Sequence, residues 1–467
     1  MSDTAVQIGL FDRAIRRIAT VWRDMASTVS APEGESIHDQ MRACLAARGG
    51  EISARNRSAK LAQTYLSLDD AGRLGFLRDL AGFDSDPAEA DRAYEAVQAA
   101  TAPEARATAQ VVLRRALEPP RVRLLTQFTT IPDGMKFLVD LRATLLTLKG
   151  ADPWLAALEN DLRNLLASWF DVGFLELQRI DWNSSALLLE RLVGYEAVHE
   201  IRSWSDLKNR LDSDRRCYAL FHHRMPNEPL IFVEVALVRG LADSVQRLLD
   251  KKAPLQDPKD ADTAIFYSIS NCQKGLAGIS FGNFLIKRVV ELLGNEFRGL
   301  KQFATLSPMP GFRRWLDAKL REDDPKLLNE EESSSLRVVA PTEGAAPATG
   351  NHALTAILAR RSWFRDPAVL KAVEPVLIRL GARYLLAERR GTRAIDPVAH
   401  FHLSNGARVE RIMACADTSE KGAKESATLM VNYLYDPAKI EDYHEEYAGE
   451  GKRNASTAVR KLSRGWA

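Results

Sequence analysis

The run from Ala264 to Phe312, AIFYSISNCQKGLAGISFGNFLIKRVVELLGNEFRGLKQFATLSPMPGF, constrains the fold more than any other part of this chain. Ala264 to Ser270 is short, apolar and rich in Ile, Phe and Tyr, which suits a buried strand. Gly275, Gly278 and Gly282 then fall in a turn leading into Asn283 to Glu296, where Leu285, Val289 and Leu292 recur at helical spacing. A glycine-rich turn that feeds a helix offers free backbone N–H groups and the positive end of the helix dipole, an arrangement suited to phosphate or pyrophosphate. A second strand, Phe303 to Leu306, stops at Ser307-Pro308-Met309-Pro310, because proline cannot donate to the ladder. Ser307 is left at a strand end.

The glycines are not spaced as G-x-G-x-x-G, and no Lys-Ser or Lys-Thr follows the last of them. Dinucleotide-fold and P-loop readings are therefore poor. Gln273-Lys-Gly-Leu-Ala-Gly278 instead resembles the acyl-CoA pyrophosphate loop, Q/R-x-x-G-x-G/A, of the GNAT acetyltransferase superfamily, with a different glycine spacing. The alternative is a set of glycines that merely caps and packs a strand-to-helix turn.

Residues 1–169 read as helical almost throughout. Phe11, Ile15, Ile18 and Trp22 mark an apolar stripe within Phe11 to Met25, and Ser67-Leu-Asp-Asp70 has the form of a capping box. Pro87 and Pro103 stand where a first-turn proline is tolerated, and Pro132-Asp-Gly134 makes a turn. Short turns between successive helices imply a bundle. The arginines here lie among Asp and Glu, the pattern of a solvated face.

Beyond residue 169 the pattern turns mixed. Arg216 to His222 and Leu230 to Leu237, joined by a Pro/Asn loop, read as an antiparallel hairpin. Leu241 to Leu249 looks helical, and Lys251 to Asp262 reads as a surface loop. Glu330 to Ala353 is the best candidate for an exposed, mobile insertion. Arg365 to Leu386 is helical in character. Val398 to Leu403 and Ala407 to Met413, separated by Ser404-Asn405-Gly406, read as a second hairpin, which would put His400 and His402 on one face. The fold class expected is α+β: an N-terminal all-helical bundle over 1–169, then an α/β domain with a mixed sheet over 170–467.

A formal charge of +2 argues against a nucleic-acid protein. Cys44, Cys217, Cys272 and Cys415 have no C-x-x-C spacing, so neither a disulfide framework nor a zinc site is expected. No uncharged apolar run is long enough to span a bilayer, and the first residues lack a signal-peptide core, so the expected location is the cytoplasm, with no membrane partner. His400 and His402 could pair on a metal, but no Cys, Asp or Glu stands at ligand spacing. His222 and His223 are read as structural. From local sequence alone, Ser307 would cap the helix beginning near Gly311.

Several longer runs change the weight of these readings. IFYSIS, QKGLAGISFGNFLIKRVV, LSPMPGF, DPVAHFHLSNGA, YEAVH at Tyr195 to His199, RRCYALFHHRMPNEPL from Arg215 and LMVNYLY at Leu429 to Tyr435 closely resemble, in one order, the signatures of malonyl-CoA decarboxylase. The resemblance implies a GNAT-like catalytic domain that binds malonyl-CoA and releases acetyl-CoA and CO2, with an acyl-CoA-dependent acetyltransferase as the alternative. It implies no metal and no cofactor beyond the CoA thioester itself, and a homodimer or homotetramer assembled through the helical region. It assigns His402 as proton donor and Ser307 as its partner. Ala277, Gly278, Ile279, Ser280, Phe281, Gly282 and Asn283 are implied to hold the pyrophosphate. Ser268, Ser270 and Asn271 are second-choice contacts to the malonyl group, and Lys274, Lys287 and Arg288 are candidate phosphate partners. Relatives can carry an acidic residue where this chain has Ser280.

Overall fold

The computed structural model describes residues 21–25, 35–46, 50–279, 282–341 and 347–464. The chain divides into two compact units. The first takes residues 1–176 together with 221–230 and 271–281, and the second takes the remainder.

In the first unit, eight helices run from Ile37–Leu45 to Pro153–Trp169 among the described residues. Residues 21–25 are helical, while the rest of the expected Phe11 to Met25 helix lies outside the described residues. Local chemistry sets most of the starts. Pro87, Pro103, Pro120 and Pro153 each open a helix at its first position, where the missing N–H would have had no intrahelical partner. The cap before Asp70–Gly82 differs from the capping-box reading. Asp69, not Ser67, accepts the Gly72 N–H at 2.8 Å, while Ser67 donates back to the Thr64 carbonyl at 2.7 Å. An aromatic cluster of Trp22, Tyr65, Phe76, Phe128 and Phe137 fills the bundle, with ring centroids 4.9–5.6 Å apart.

The second unit is built on an eight-stranded mixed sheet in the order β1-β2-β3-β4-β5-β10-β6, with β9 also paired to β10. The strands are β1 Leu175–Ile180, β2 Arg215–His222, β3 Ile231–Val238, β4 Thr263–Asn271, β5 Gln302–Thr305, β6 Ser307–Pro308, β9 Arg408–Met413 and β10 Met430–Tyr435. Arg389–Arg390 (β7) and Arg393–Ala394 (β8) form a separate ribbon. The expected hairpin is present as β2 and β3, paired antiparallel. β4 and β5 are parallel, connected through the helix Gly282–Glu296. One sheet face buries Ala236, Ile265, Tyr267, Ala304, Met413 and Met430 in a common core.

Three expectations are overturned. Val398 to Leu403 is not a strand but lies in the helix Pro397–Ser404, because Asp396 caps it and Pro397 opens it. The Asn-Gly pair read as a hairpin turn is that helix's C-terminus: Asn405 is the cap and Gly406 takes the left-handed conformation at φ 79°. A Cβ at Gly406 would lie 2.1 Å from the Ile440 carbonyl oxygen, so close packing also requires glycine there. Glu330 to Ala353 is largely helical, as Glu330–Val339, opened by a capping box between Asn329 and Glu332, and Gly350–Ala359; residues 342–346 lie outside the described set. Helix within Leu241 to Leu249 is confined to Val245–Leu248.

Candidate active site

β10 lies between β9 on one side and β5 and β6 on the other. β5 and β6 keep the same register against it, Ala304 facing Leu434 and Ser307 facing Val431. Between them, at Thr305 and Leu306, side chains replace the ladder to β10. The Tyr433 N–H donates to Thr305 Oγ1 at 3.1 Å and the Asn432 side-chain amide donates to the Thr305 carbonyl at 2.7 Å, while the Leu306 N–H keeps its ladder bond to the Phe266 carbonyl of β4 at 2.9 Å. The strand is opened immediately before Ser307, and Ser307 is buried at 6% exposure.

Ser307 Oγ lies 3.0 Å from His402 Nε2 and donates to Thr305 Oγ1 at 2.9 Å. The other ring nitrogen, Nδ1, lies 2.8 Å from the Tyr435 hydroxyl. The His402 ring stacks on Tyr433 at a centroid distance of 4.5 Å. Tyr433 and Tyr435 are two apart in β10 and so project from the same face of the sheet, a consequence of strand alternation. With Ser307 donating to Thr305, His402 Nε2–H donates to Ser307 Oγ, and Nδ1 accepts from Tyr435. The Ser307 cap reading is not what the fold uses: the helix Phe312–Arg321 begins after Gly311 without a side-chain cap.

Asp396 ties the two arms together, a role that reading the residues one by one missed. It is fully buried, and its Oδ1 accepts the N–H groups of Val398 and Ala399, each at 2.9 Å, at the start of the helix that carries His402. Its carboxylate also accepts from the Tyr384 hydroxyl at 3.1 Å and from the Gly311 N–H in the turn that follows Ser307. Burial raises the Asp396 pKa against these opposing hydrogen bonds. The sequence signal was present in Asp396-Pro397, an N-cap residue followed by a first-position proline.

Burial pushes the His402 imidazole down to about 3, so the ring is neutral near pH 7. His400 is a neighbour of another kind. Two positions apart on a helix, the two rings point about 200° away from each other, so they do not form a metal pair. His400 Nδ1 lies 2.9 Å from the Tyr447 hydroxyl. Among the described residues no group of three or more His, Cys, Asp or Glu is placed to hold a metal ion. His222 accepts the Arg224 N–H on Nδ1 at 3.2 Å and has Nε2 3.1 Å from the Trp169 carbonyl, and burial with the neighbouring His223 lowers it to about 4.

Several of the remaining candidate residues have definite partners. Ser268 and Ser270 both donate to Glu196, in the YEAVH turn, at 2.7 and 3.4 Å, and Glu196 also accepts the N–H groups of Val198 and His199. Asn271 is exposed at the end of β4. Lys287 pairs with Glu441 at 2.7 Å and Arg288 with Glu291 at 3.0 Å, whereas Lys274 is exposed. In the glycine loop, the Ala277 and Ile279 N–H groups already bond to the carbonyls of Lys274 and Leu276. Gly278 has φ 79°, and no atom lies within 4 Å of where its Cβ would be. Gly282 and Asn283 begin the following helix, while Ser280 and Phe281 lie outside the described residues.

The model of the malonyl-CoA decarboxylase C-terminal domain matches residues 173–466, and that of the N-terminal domain matches residues 83–170. The mitochondrial malonyl-CoA decarboxylase of Anser anser anser is 39% identical over 326 residues, 68% of this chain and 64% of that protein. Its Mus musculus counterpart is 36% identical over 360 residues, 75% of this chain and 72% of that protein. The crystal structure of malonyl-CoA decarboxylase from Agrobacterium vitis superposes with a TM-score of 0.82 at 40% identity, over 91% of this chain and 99% of that one. The enzyme from Rhodopseudomonas palustris gives 0.80 at 41% identity, over 91% and 100%. The order of motifs, both domain models and the superpositions over 91% of the chain agree, and this chain belongs to the malonyl-CoA decarboxylase family.

Proposed function

We propose that this protein decarboxylates malonyl-CoA to acetyl-CoA and CO2, with His402 as proton donor and Ser307 as its relay. The observation that supports the assignment is a buried, neutral imidazole with Nε2 3.0 Å from a buried serine hydroxyl. The thioester carbonyl is already an electron sink, so the reaction requires no metal and no organic cofactor. The C2–C3 bond breaks, CO2 leaves, the electron pair enters the thioester carbonyl as an enolate, and a proton then returns to C2. Negative charge brought by the malonyl carboxylate and then held on the enolate raises the proton affinity of a nearby imidazole. His402 therefore takes up a proton with the substrate and delivers it as the enolate is quenched. Ser307 Oγ accepts from the ring; as the ring proton arrives, the serine O–H turns from Thr305 and passes its own proton to C2, leaving the hydroxyl restored and the imidazole neutral. A positioned general acid typically contributes about 10²–10⁴ in rate.

The other assignments belong to the same reading. The backbone of the glycine loop, with the Gly278 N–H foremost, binds the diphosphate of CoA. Ser268, Ser270 and Asn271 remain second-choice contacts to the malonyl group. Self-association as a closed homodimer or homotetramer uses the first unit, where Val111 and Val112 stand 51% and 54% exposed on the helix Pro103–Ala116. Light scattering tests that assignment: Val111→Asp with Val112→Asp lowers the mass of the assembly, and an unchanged mass removes this face from it.

The deciding experiment is incubation of the protein with malonyl-CoA labelled in the free carboxyl, with no acceptor present. Labelled CO2 and acetyl-CoA should appear in equal amounts and survive exhaustive EDTA treatment. An acetyltransferase would require an amine acceptor, and absence of CO2 release would reject the proposal.

A further inference from the structure

The arginines of the helical region lie among Asp and Glu, the sequence pattern of a solvated face. Arg142 is neither exposed nor on a wet face. It sits on the helix Gly134–Leu148 at 2% exposure, and its guanidinium is divided between two tasks. Nε and Nη2 donate to Glu159 Oε1 at 3.1 and 2.7 Å, and Lys149 holds the other oxygen of Glu159 at 3.2 Å. Nη1 donates to the backbone carbonyls of Gly275 and Ala277, at 2.5 and 2.9 Å. All of these residues belong to the first unit, which includes loop residues 271–281.

The consequence lies in the peptide plane between Ala277 and Gly278. No peptide bond is cis among the described residues, and in a trans peptide the C=O and N–H vectors oppose each other. Holding the Ala277 carbonyl toward Arg142 turns the Gly278 N–H away from it. Two further contacts seat the same loop. A Cβ on Gly275 would lie 1.7 Å from the Val139 carbonyl oxygen, so the loop rests directly on the backbone of the arginine's own helix. Gln273 donates to the Pro229 carbonyl at 2.9 Å. Glu159 neutralises the guanidinium; burial raises its pKa, but hydrogen bonds from Arg142 and Lys149 more than offset this and leave it lowered. With Nη1 donating to the Gly275 and Ala277 carbonyls, Arg142 acts on the loop by geometry.

We propose that Arg142, held by Glu159, is a positioning residue that pre-forms the Gly275–Gly278 loop for the diphosphate of CoA. This rests on the reading of the loop as the diphosphate site. A loop that spends about one tenth of its time in the binding shape binds about tenfold more weakly. Loss of such pre-formation raises KM and leaves kcat near wild type, because the interaction is equal in ground and transition states.

The test uses full-length Arg142→Lys and Glu159→Gln, with Arg142→Ala added if it folds. Each should raise KM for malonyl-CoA by about tenfold with kcat nearly unchanged, and should speed amide exchange at residues 276–279. With the malonyl thioester of N-acetylcysteamine, which lacks the diphosphate, kcat/KM should match wild type. Gly278→Ala separates the two ideas. If it raises KM for malonyl-CoA and the Arg142 and Glu159 variants do not, the positioning role is wrong and the loop assignment stands. If Gly278→Ala and the positioning variants all leave KM unchanged, the loop is not the diphosphate site. An equal loss on the truncated thioester would make Arg142 a general structural residue and would also overturn the proposal.

Discussion

Ser307 Oγ and His402 Nε2 stand 3.0 Å apart although 95 positions separate them in the chain. One residue comes from a strand opened at Thr305, the other from a helix capped by Asp396, and Tyr433 and Tyr435 of β10 pack against the imidazole. His402→Asn should lower kcat by about 10²–10⁴ with a smaller change in KM, as expected when a general acid is removed. Ser307→Ala should also be severe. Because the two act as one unit, the double variant should be less impaired than the product of the single losses. Near wild-type kcat in both single variants would refute the assignment.

Asp396 should matter to both the fold and the rate. Asp396→Ala removes an N-cap, costing about 1 kcal/mol, and leaves the Tyr384 hydroxyl and the Gly311 N–H without their acceptor at about 1–3 kcal/mol each. Asp396→Asn retains one acceptor oxygen and should fold more stably than the alanine variant, yet lose kcat, because its amide cannot accept from every present donor. Chemical denaturation together with steady-state kinetics measures both. A full kcat in Asp396→Asn would show that only the cap is needed.

The depressed pKa of His402 makes a prediction about acid stability. The folded value of about 3 lies below the ordinary 6.5, so between these values the unfolded chain binds more protons and stability rises with pH. The contribution is complete above about pH 6.5 and is lost progressively as pH falls toward 3. Between pH 7 and pH 5 the loss from this residue is about 2 kcal/mol. His402→Asn should flatten the stability profile over that interval by a similar amount, read from urea midpoints at each pH. A slope equal to that of wild type would mean that the ring is already protonated, or hydrated, in the folded protein.

Two glycines in one loop should respond differently. Gly275→Ala drives a methyl group into the Val139 carbonyl, with 1.7 Å available, and should destabilise the fold by several kcal/mol at least. Gly278→Ala meets open space and suffers only left-handed backbone strain at φ 79°, about 1–2 kcal/mol. Its larger effect should be weaker CoA binding, measured by calorimetry. If CoA affinity is unchanged, the glycines of this loop serve packing alone.

The sequence alone determined what local rules can carry. β4, the helix after the glycine loop, the β2–β3 hairpin and the proline-opened helices follow from apolar period and from residues that act on their own backbone. Ser307 and His402 could be named only through resemblance to a family, since each alone has an ordinary local explanation. Tertiary structure decided the rest. Residues 397–404 hold apolar residues that suit either a strand or a helix, and the Asp396 cap, buried against Tyr384 and Gly311, selects the helix. Likewise Arg142 looks like any arginine among acidic neighbours. Only the docking of the loop onto Val139 supplies two carbonyls for it to hold, because hydrogen bonds between residues 133 positions apart leave no periodic trace in the sequence.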